Sequence, residues 1–225
     1  MKREVRVEEL QKLYTCHDMA KADCGGCHGC SACCQGMGNT VGLDPYDMYQ
    51  LQRGLGADPQ VLMAQGYIEM SMADGLVLPN LTMAGEKEQC VFLNEEGRCR
   101  IHSFRPGLCR LFPLGRVYDE DGFKYYVQLY ECPKPVKTKV KIDKWLGIPD
   151  IKRYEEFVLG WHRLLKQCRQ KADEGQSTMM AEEVRKQIAT KLLSIFFMVR
   201  YDTKSDFYGQ FAARVIKFKR DMKWQ

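Results

Sequence analysis

Five of the chain's eleven cysteines fall within eleven positions, in the segment CGGCHGCSACC at residues 24–34. Cys24, Cys27, Cys30 and Cys33 recur at every third residue, and Cys34 adds a vicinal neighbour. A Cys-x-x-Cys turn lets two thiolates face one ion, the geometry shared by zinc ribbons and ferredoxins. One such pair is a weak signal, whereas three overlapping pairs with a Cys-Cys step are a specific one. Adjacent cysteines chelate a single ion poorly, because the ring they close is small and strained. Cys33 and Cys34 are therefore expected at different metals or at different corners of an extended site. Cys90, Cys99, Cys109 and Cys132 bring the clustered total to nine, or eight with Cys24 as an extra. Eight thiolates suit two tetrathiolate sites or two iron–sulfur clusters.

Other uses of clustered cysteine fit less well. Cys24, Cys27 and His28 spell the Cys-x-x-Cys-His haem-attachment motif. Attachment of c-type haem follows export, and the N-terminus MKREVRVEELQKLYTCHDMA has no apolar run long enough for a signal peptide. A thioredoxin-like dithiol would follow a strand in a βαβ unit, a context the sequence around 24–34 does not offer. Radical chemistry on S-adenosylmethionine uses Cys-x3-Cys-x2-Cys. Cys30 and Cys34 have the first spacing, but the next position required is Met37.

Composition agrees with a metal-binding use. The 225 residues are 45% hydrophobic and 11% aromatic, enough to fill a core without covalent staples. A net charge of +5 is too small an excess to indicate nucleic acid as a partner. No stretch approaches the roughly 20 apolar residues of a membrane span. The densest, LLSIFFMV at 192–199, lies between Lys191 and Arg200 and reads as a buried helix face. A cytoplasmic location is expected, where disulfides seldom persist and thiolate-bound metal is the first use to consider.

A second constellation, CVFLNEEGRCRIHSFRPGLCRLFP, occupies residues 90–113. Cys-x2-Cys-x2-Cys-Cys at 27, 30, 33 and 34, then CVFL, CRIH, RPGLCRLFP and a later CP, together resemble the YkgJ-type cysteine-cluster family over about residues 24–133. The resemblance implies a zinc- or iron-chelating domain. A related pattern in flagellin lysine-N-methylases would add an iron–sulfur cluster and methyl transfer, but RPGLCRLFP matches the shorter YkgJ form better. Cys24 and the C-terminal helices lie outside the match. On this reading Cys27, Cys30, Cys33, Cys34, Cys90, Cys99, Cys109 and Cys132 are the expected metal ligands.

Arg105 and Arg110 flank Cys109. Guanidiniums that donate to thiolate sulfurs lower the cost of burying their charge and tune a redox potential, so both are expected beside the cofactor. The alternative is a grip on an anionic substrate. Pro106 and Pro113 are expected to fix the turn that aims Cys109 inward. His28 and His102 can ligate zinc, but cysteines already suffice, and both read as surface or hydrogen-bonding side chains. Cys16 and Cys168 read as buried, unreactive thiols. The basic run PKPVKTKVKIDK at 133–144 carries no interleaved aromatic platform and reads as the solvated edge of an extended segment. No phosphate-binding glycine loop, Gly-x-Ser-x-Gly elbow or His-Glu-x-x-His occurs.

The elements that must position these residues fall into three regions. Residues 1–75 read as helix and loop. VEELQKLYTCHDMA is a short helix, and Asp44–Pro45 and Asp58–Pro59 are N-cap and first-turn pairs opening DPYDMYQLQRGLG and DPQVLMAQGYIEM. Residues 76–132 read as short strands: GLVLPNLTMA, a compact hairpin of CVFL and RCRI around NEEG, and a hairpin turning at Asp121–Gly122. From Asp150 the pattern is helical, with Ile188, Leu192, Ile195, Phe196 and Val199 on one face and Phe211, Val215 and Phe218 on a last helix opening near Asp206.

The expected fold is α+β: a cysteine-rich metal-binding region with short β-hairpins, packed with N-terminal helices and a C-terminal helical segment. The expected division is 1–149 and 150–225. The expected cofactor is one or two cysteine-ligated [4Fe–4S] clusters, with zinc the alternative because thiolate spacing does not separate the metals. Three function classes follow. One is an enzyme acting in protein modification or methyl transfer, another a redox or metal-relay module for a protein partner, and the third a zinc-organised structural module.

Overall fold

The computed structural model describes residues 5–25, 30–134, 136–173 and 178–224. A 3-10 turn at Val7–Gln11 precedes strand β1 (Met19–Asp23), and a second one spans Ala32–Cys34. Helices α1 (Pro45–Leu55) and α2 (Pro59–Ala64) follow, then strands β2 (Ile68–Ala73), β3 (Leu76–Leu81), β4 (Met83–Ala84) and β5 (Gln89–Cys90). Next come α3 (Gly107–Leu111), β6 (Leu114–Tyr118), β7 (Phe123–Val127) and β8 (Thr138–Lys141). The remainder is helical: α4 (Ile142–Leu146), α5 (Ile151–Asp173), α6 (Thr178–Leu192) with a π-helical turn at Leu193–Met198, and α7 (Phe207–Met222). The class is α+β, the strands pairing antiparallel as β1-β8, β2-β3, β4-β5 and β6-β7.

The chain forms two compact units, Met1–Val41 with Met83–Leu159, and Gly42–Thr82 with Gly160–Gln225. In the first, β6 and β7 pair from Leu114↔Val127 to Tyr118↔Phe123, and Gly122 N donates to Asp119 Oδ1 at 2.7 Å in the turn between them. Leu114, Tyr125, Ile142, Leu146, Tyr154 and Phe157 are buried around this hairpin. The helix expected over VEELQKLYTCHDMA is only the 3-10 turn. Tyr14 exchanges two backbone hydrogen bonds of 2.8 Å with Tyr125 and so extends the β6-β7 sheet. The buried Glu9 accepts from Leu129 N at 2.6 Å. These long-range bonds outweigh local helix propensity.

In the second unit α1 opens on a reciprocal cap: Asp47 N donates to Asp44 Oδ1 at 2.9 Å and Asp44 N to Asp47 Oδ2 at 3.0 Å. The helix expected over DPQVLMAQGYIEM ends at Ala64. Gly66 turns left-handed at φ +67, and from Ile68 the chain is β2, paired with β3 across the two-residue turn Asp74–Gly75. Both turn residues have positive φ, as a type I′ hairpin requires. Trp161, Phe196, Phe197, Tyr201, Phe207, Phe211 and Phe218 form an aromatic core. Val199, expected on the buried face, is 56% exposed, because the π turn rotates Phe197 inward and the helix stops. Arg214 holds that end, donating to the carbonyls of Ile195, Val199 and Arg200 at 2.7–2.9 Å.

Candidate metal centre

Three stretches of the first unit are laid side by side by backbone contacts. Ala32–Cys34 is a 3-10 turn closed by Cys34 N donating to Ser31 O at 2.9 Å. The next residue, Gln35, forms an antiparallel bridge with Gln89, and Gly36 N donates to Glu88 O at 3.1 Å. Cys33 and Cys34 thereby lie alongside Cys90. Beyond Cys90 the expected hairpin is reduced to one bridge, Leu93↔Cys99, held by Asn94 N to Arg98 O at 2.9 Å and Arg100 N to Phe92 O at 2.8 Å. It is a tight loop, and its job is to bring Cys99 back towards Cys90. The buried Phe92 and Ile101 seat it in the core. Cys109 comes from the single helical turn of α3, which begins after Pro106 and is closed by Arg110 N to Pro106 O at 3.0 Å.

The thiols also act on one another electrostatically. Cys34 donates to Cys33; that hydrogen bond, aided by backbone N–H and by Arg105, holds the Cys33 thiol below its usual range. The same bond, with burial and the nearby Cys33, Cys109 and Cys90, holds the proton on Cys34. Burial pushes the Cys90 and Cys99 thiols up, and each feels Cys33 and Arg100. Cys33, Cys34, Cys90, Cys99 and Cys109 are thus linked pairwise, Cys90 and Cys99 through Cys33 and Cys109 through Cys34. Burial opposes their ionisation until a cation replaces the protons.

The two arginines are placed differently. Arg105 bears on Cys33 and Cys99, contacts His102 Nε2, and keeps Nε buried without a hydrogen-bond partner. Arg110 spends its guanidinium on carbonyls, donating to Arg105 O at 2.9 Å, Ser103 O at 2.6 Å and Leu146 O at 3.4 Å. It fixes the turn that carries Arg105. His102 is exposed. A cavity of about 520 Å³ opens beside Cys90, lined by Gly85, Glu86, Lys87, Gln89 and Leu93 among others.

Cys132 and Cys24 also belong to the first unit. The thiol of Cys132 is raised by burial and shares a hydrogen bond with Cys24, with Lys137 close by. Cys30 is half-buried, and Cys27 and His28 lie outside the described residues. Cys16 and Cys168 are both buried, Cys16 in the first unit, where it donates to Glu155 Oε2 at 3.4 Å, and Cys168 in the second. Sequence spacing had no means of finding Arg100 or the Cys24–Cys132 contact, since both depend on which loops pair.

The cysteine pattern CxxCxxCC, described as "Putative zinc- or iron-chelating domain", matches residues 26–133. Residues 26–133 carry the CxxCxxCC family domain. It is a metal-chelating domain, and the donor chemistry fits the description: soft thiols gathered from three loops, with cationic arginines beside them. Among the described residues no group of three or more His, Cys, Asp or Glu side chains is arranged to hold a metal ion. No curated protein and no solved structure matches the chain. Among the described residues no helix is long and apolar enough to cross a membrane.

Proposed function

We propose that this CxxCxxCC protein is an iron–sulfur protein. In it Cys27, Cys30, Cys33, Cys34, Cys90, Cys99, Cys109 and Cys132 supply thiolates to one or two [4Fe–4S] clusters. The observation that carries the reading is a set of five thiols linked through Cys33 and Cys34: Cys90 and Cys99 bear on Cys33, and Cys109 and Cys90 on Cys34. One zinc ion takes four ligands, so five crowded thiols suit a polynuclear or paired centre better. When bound, such a cluster supplies one-electron transfer or a Lewis-acidic iron. The chain's own residues do the rest. Arg105 offsets thiolate charge at Cys33 and Cys99, and Arg110 holds the Arg105 turn in place. The cavity beside Cys90 gives a substrate or protein partner an approach to the centre. A reducing, cytoplasmic compartment would keep the thiols available.

Zinc is the second reading, favoured by the family description, which names both metals. Electron paramagnetic resonance on anaerobically purified, dithionite-reduced protein separates the two. A half-integer-spin cluster signal supports the iron–sulfur reading; silence in a protein that carries stoichiometric zinc overturns it.

A further inference from the structure

The β1-β8 ribbon of the first unit has two unlike faces. Side chains alternate along a strand, so Ala20 and Ala22 of β1 lie on one face and Met19 and Lys21 on the other. Ala20 and Ala22 are 1% and 0% exposed, which sets their face against the core. The register pairs Met19 with Lys141 and Lys21 with Lys139, so these four residues share the outward face. Met19 is 51% exposed, and Lys21 and Lys139 are exposed as well. Like charges directly opposite one another destabilise a strand pair. Among the described residues no carboxylate forms an ion pair with Lys21 or Lys139 to offset that cost. The carboxylates of the same stretches are engaged elsewhere. Asp18 accepts from Thr15 N at 2.7 Å, Asp23 from Gly25 N at 2.8 Å, and Asp143 pairs with Lys141 at 3.2 Å. Lysines that merely guard strand edges against pairing need not stand in register, where they repel.

We propose that this outward face docks an extended, acidic segment of a partner protein. Lys139 and Lys141 are two residues apart on one strand, a spacing of about 6.6–6.8 Å. Carboxylates at alternate positions of an extended segment repeat at the same distance. Lys21 stands directly across from Lys139, so one carboxylate of such a segment meets both and relieves their repulsion. The exposed Met19 gives the contact an apolar centre, where protein interfaces are enriched in methionine. A single-stranded nucleic acid is held by bases stacked on aromatic side chains as well as by lysines, and these four face residues include no aromatic. The face stands on charge and register, and it is independent of which metal the cysteines bind. Docking of this kind is steered electrostatically and weakens as salt is added.

The test uses the full chain as purified and a short fluorescent peptide of alternating Glu and Thr, with binding read by anisotropy at low salt. Lys21→Ala/Lys139→Ala is expected to weaken binding about tenfold or more, and a peptide with Gln in place of Glu is expected not to bind. Lys186→Ala/Lys223→Ala removes two exposed lysines of the second unit and is expected to leave the affinity unchanged. An equal loss in both variants, or no loss in the first, overturns the proposal. Lysine acetylation followed by peptide mass mapping examines the wild-type chain directly, whether or not a variant folds. The peptide is expected to slow acetylation of Lys21 and Lys139, and unchanged rates overturn the proposal. Oligothymidylate that protects these two lysines more strongly than the peptide assigns the face to nucleic acid and overturns it too.

Discussion

Gln35 and Gln89 form an antiparallel backbone bridge, and through it the CxxCxxCC turn and the second cysteine stretch become neighbours. The bridge depends on the next residue: Gly36 sits at φ +67 and donates its N–H to Glu88 O. A Cβ at Gly36 meets nothing within 4 Å, so a side chain there strains only the backbone. Gly36→Val is therefore expected to cost about 1–3 kcal/mol, with Gly36→Asn closer to wild type. Urea unfolding measures the cost. A chelator challenge should strip metal faster from Gly36→Val, and equal rates in both proteins would show that the bridge does not set the site.

Cysteines of the two classes should respond differently to removal. Cys33→Ser and Cys99→Ser are expected to lose most bound metal, as read by elemental analysis. Cys168→Ala should keep its metal and lose about 1–2 kcal/mol of stability, because that thiol is fully buried in the core of the second unit.

The isolated thiols also set an alkaline limit. Burial pushes Cys168 up to about 12 from 9.0, and burial with the Glu155 charge pushes Cys16 up to about 11. In the unfolded chain both ionise near their ordinary value. Their contribution is thus fully present below pH 9 and is lost as pH rises from 9 through the folded values. For Cys168 the loss is on the order of a few kcal/mol. Thermal midpoints should fall steeply above pH 9, and the fall should be shallower in Cys168→Ala.

Arg214 ends the π turn by donating to three carbonyls while lying over the Tyr201 ring at 3.5 Å. Arg214→Ala leaves those carbonyls without this partner and is expected to cost about 2–3 kcal/mol in thermal unfolding. Arg214→Lys should rescue little, since an ammonium does not reproduce the planar fork. Metal content at fixed temperature should not change.

Where a local signal had no competitor, the sequence was readable. Asp44–Pro45 opens α1 and Asp121–Gly122 turns the β6-β7 hairpin, each through bonds made within four residues. Asp74–Gly75 carries the same hairpin signal, but it competes with the helix start at Asp58–Pro59, and only the left-handed Gly66 separates the two elements. Tyr14 left its helical pattern to bond Tyr125, and Val199 left its stripe because a π turn adds a residue to the period. The candidate site shows the same division. Cysteine spacing exposed the donors, whereas their grouping depends on Gln35↔Gln89 and Asp23↔Thr138, contacts between polar residues that no periodicity announces. The role of Arg110 was equally hidden, since its carbonyl partners Ser103 and Leu146 come together only in the folded unit.

Analysis of iron, acid-labile sulfide and zinc in anaerobically purified protein tests the central claim most directly. The account predicts a brown protein with iron and sulfide in equal amounts, about four of each per cluster, and little zinc. A colourless protein with stoichiometric zinc and no sulfide would contradict it.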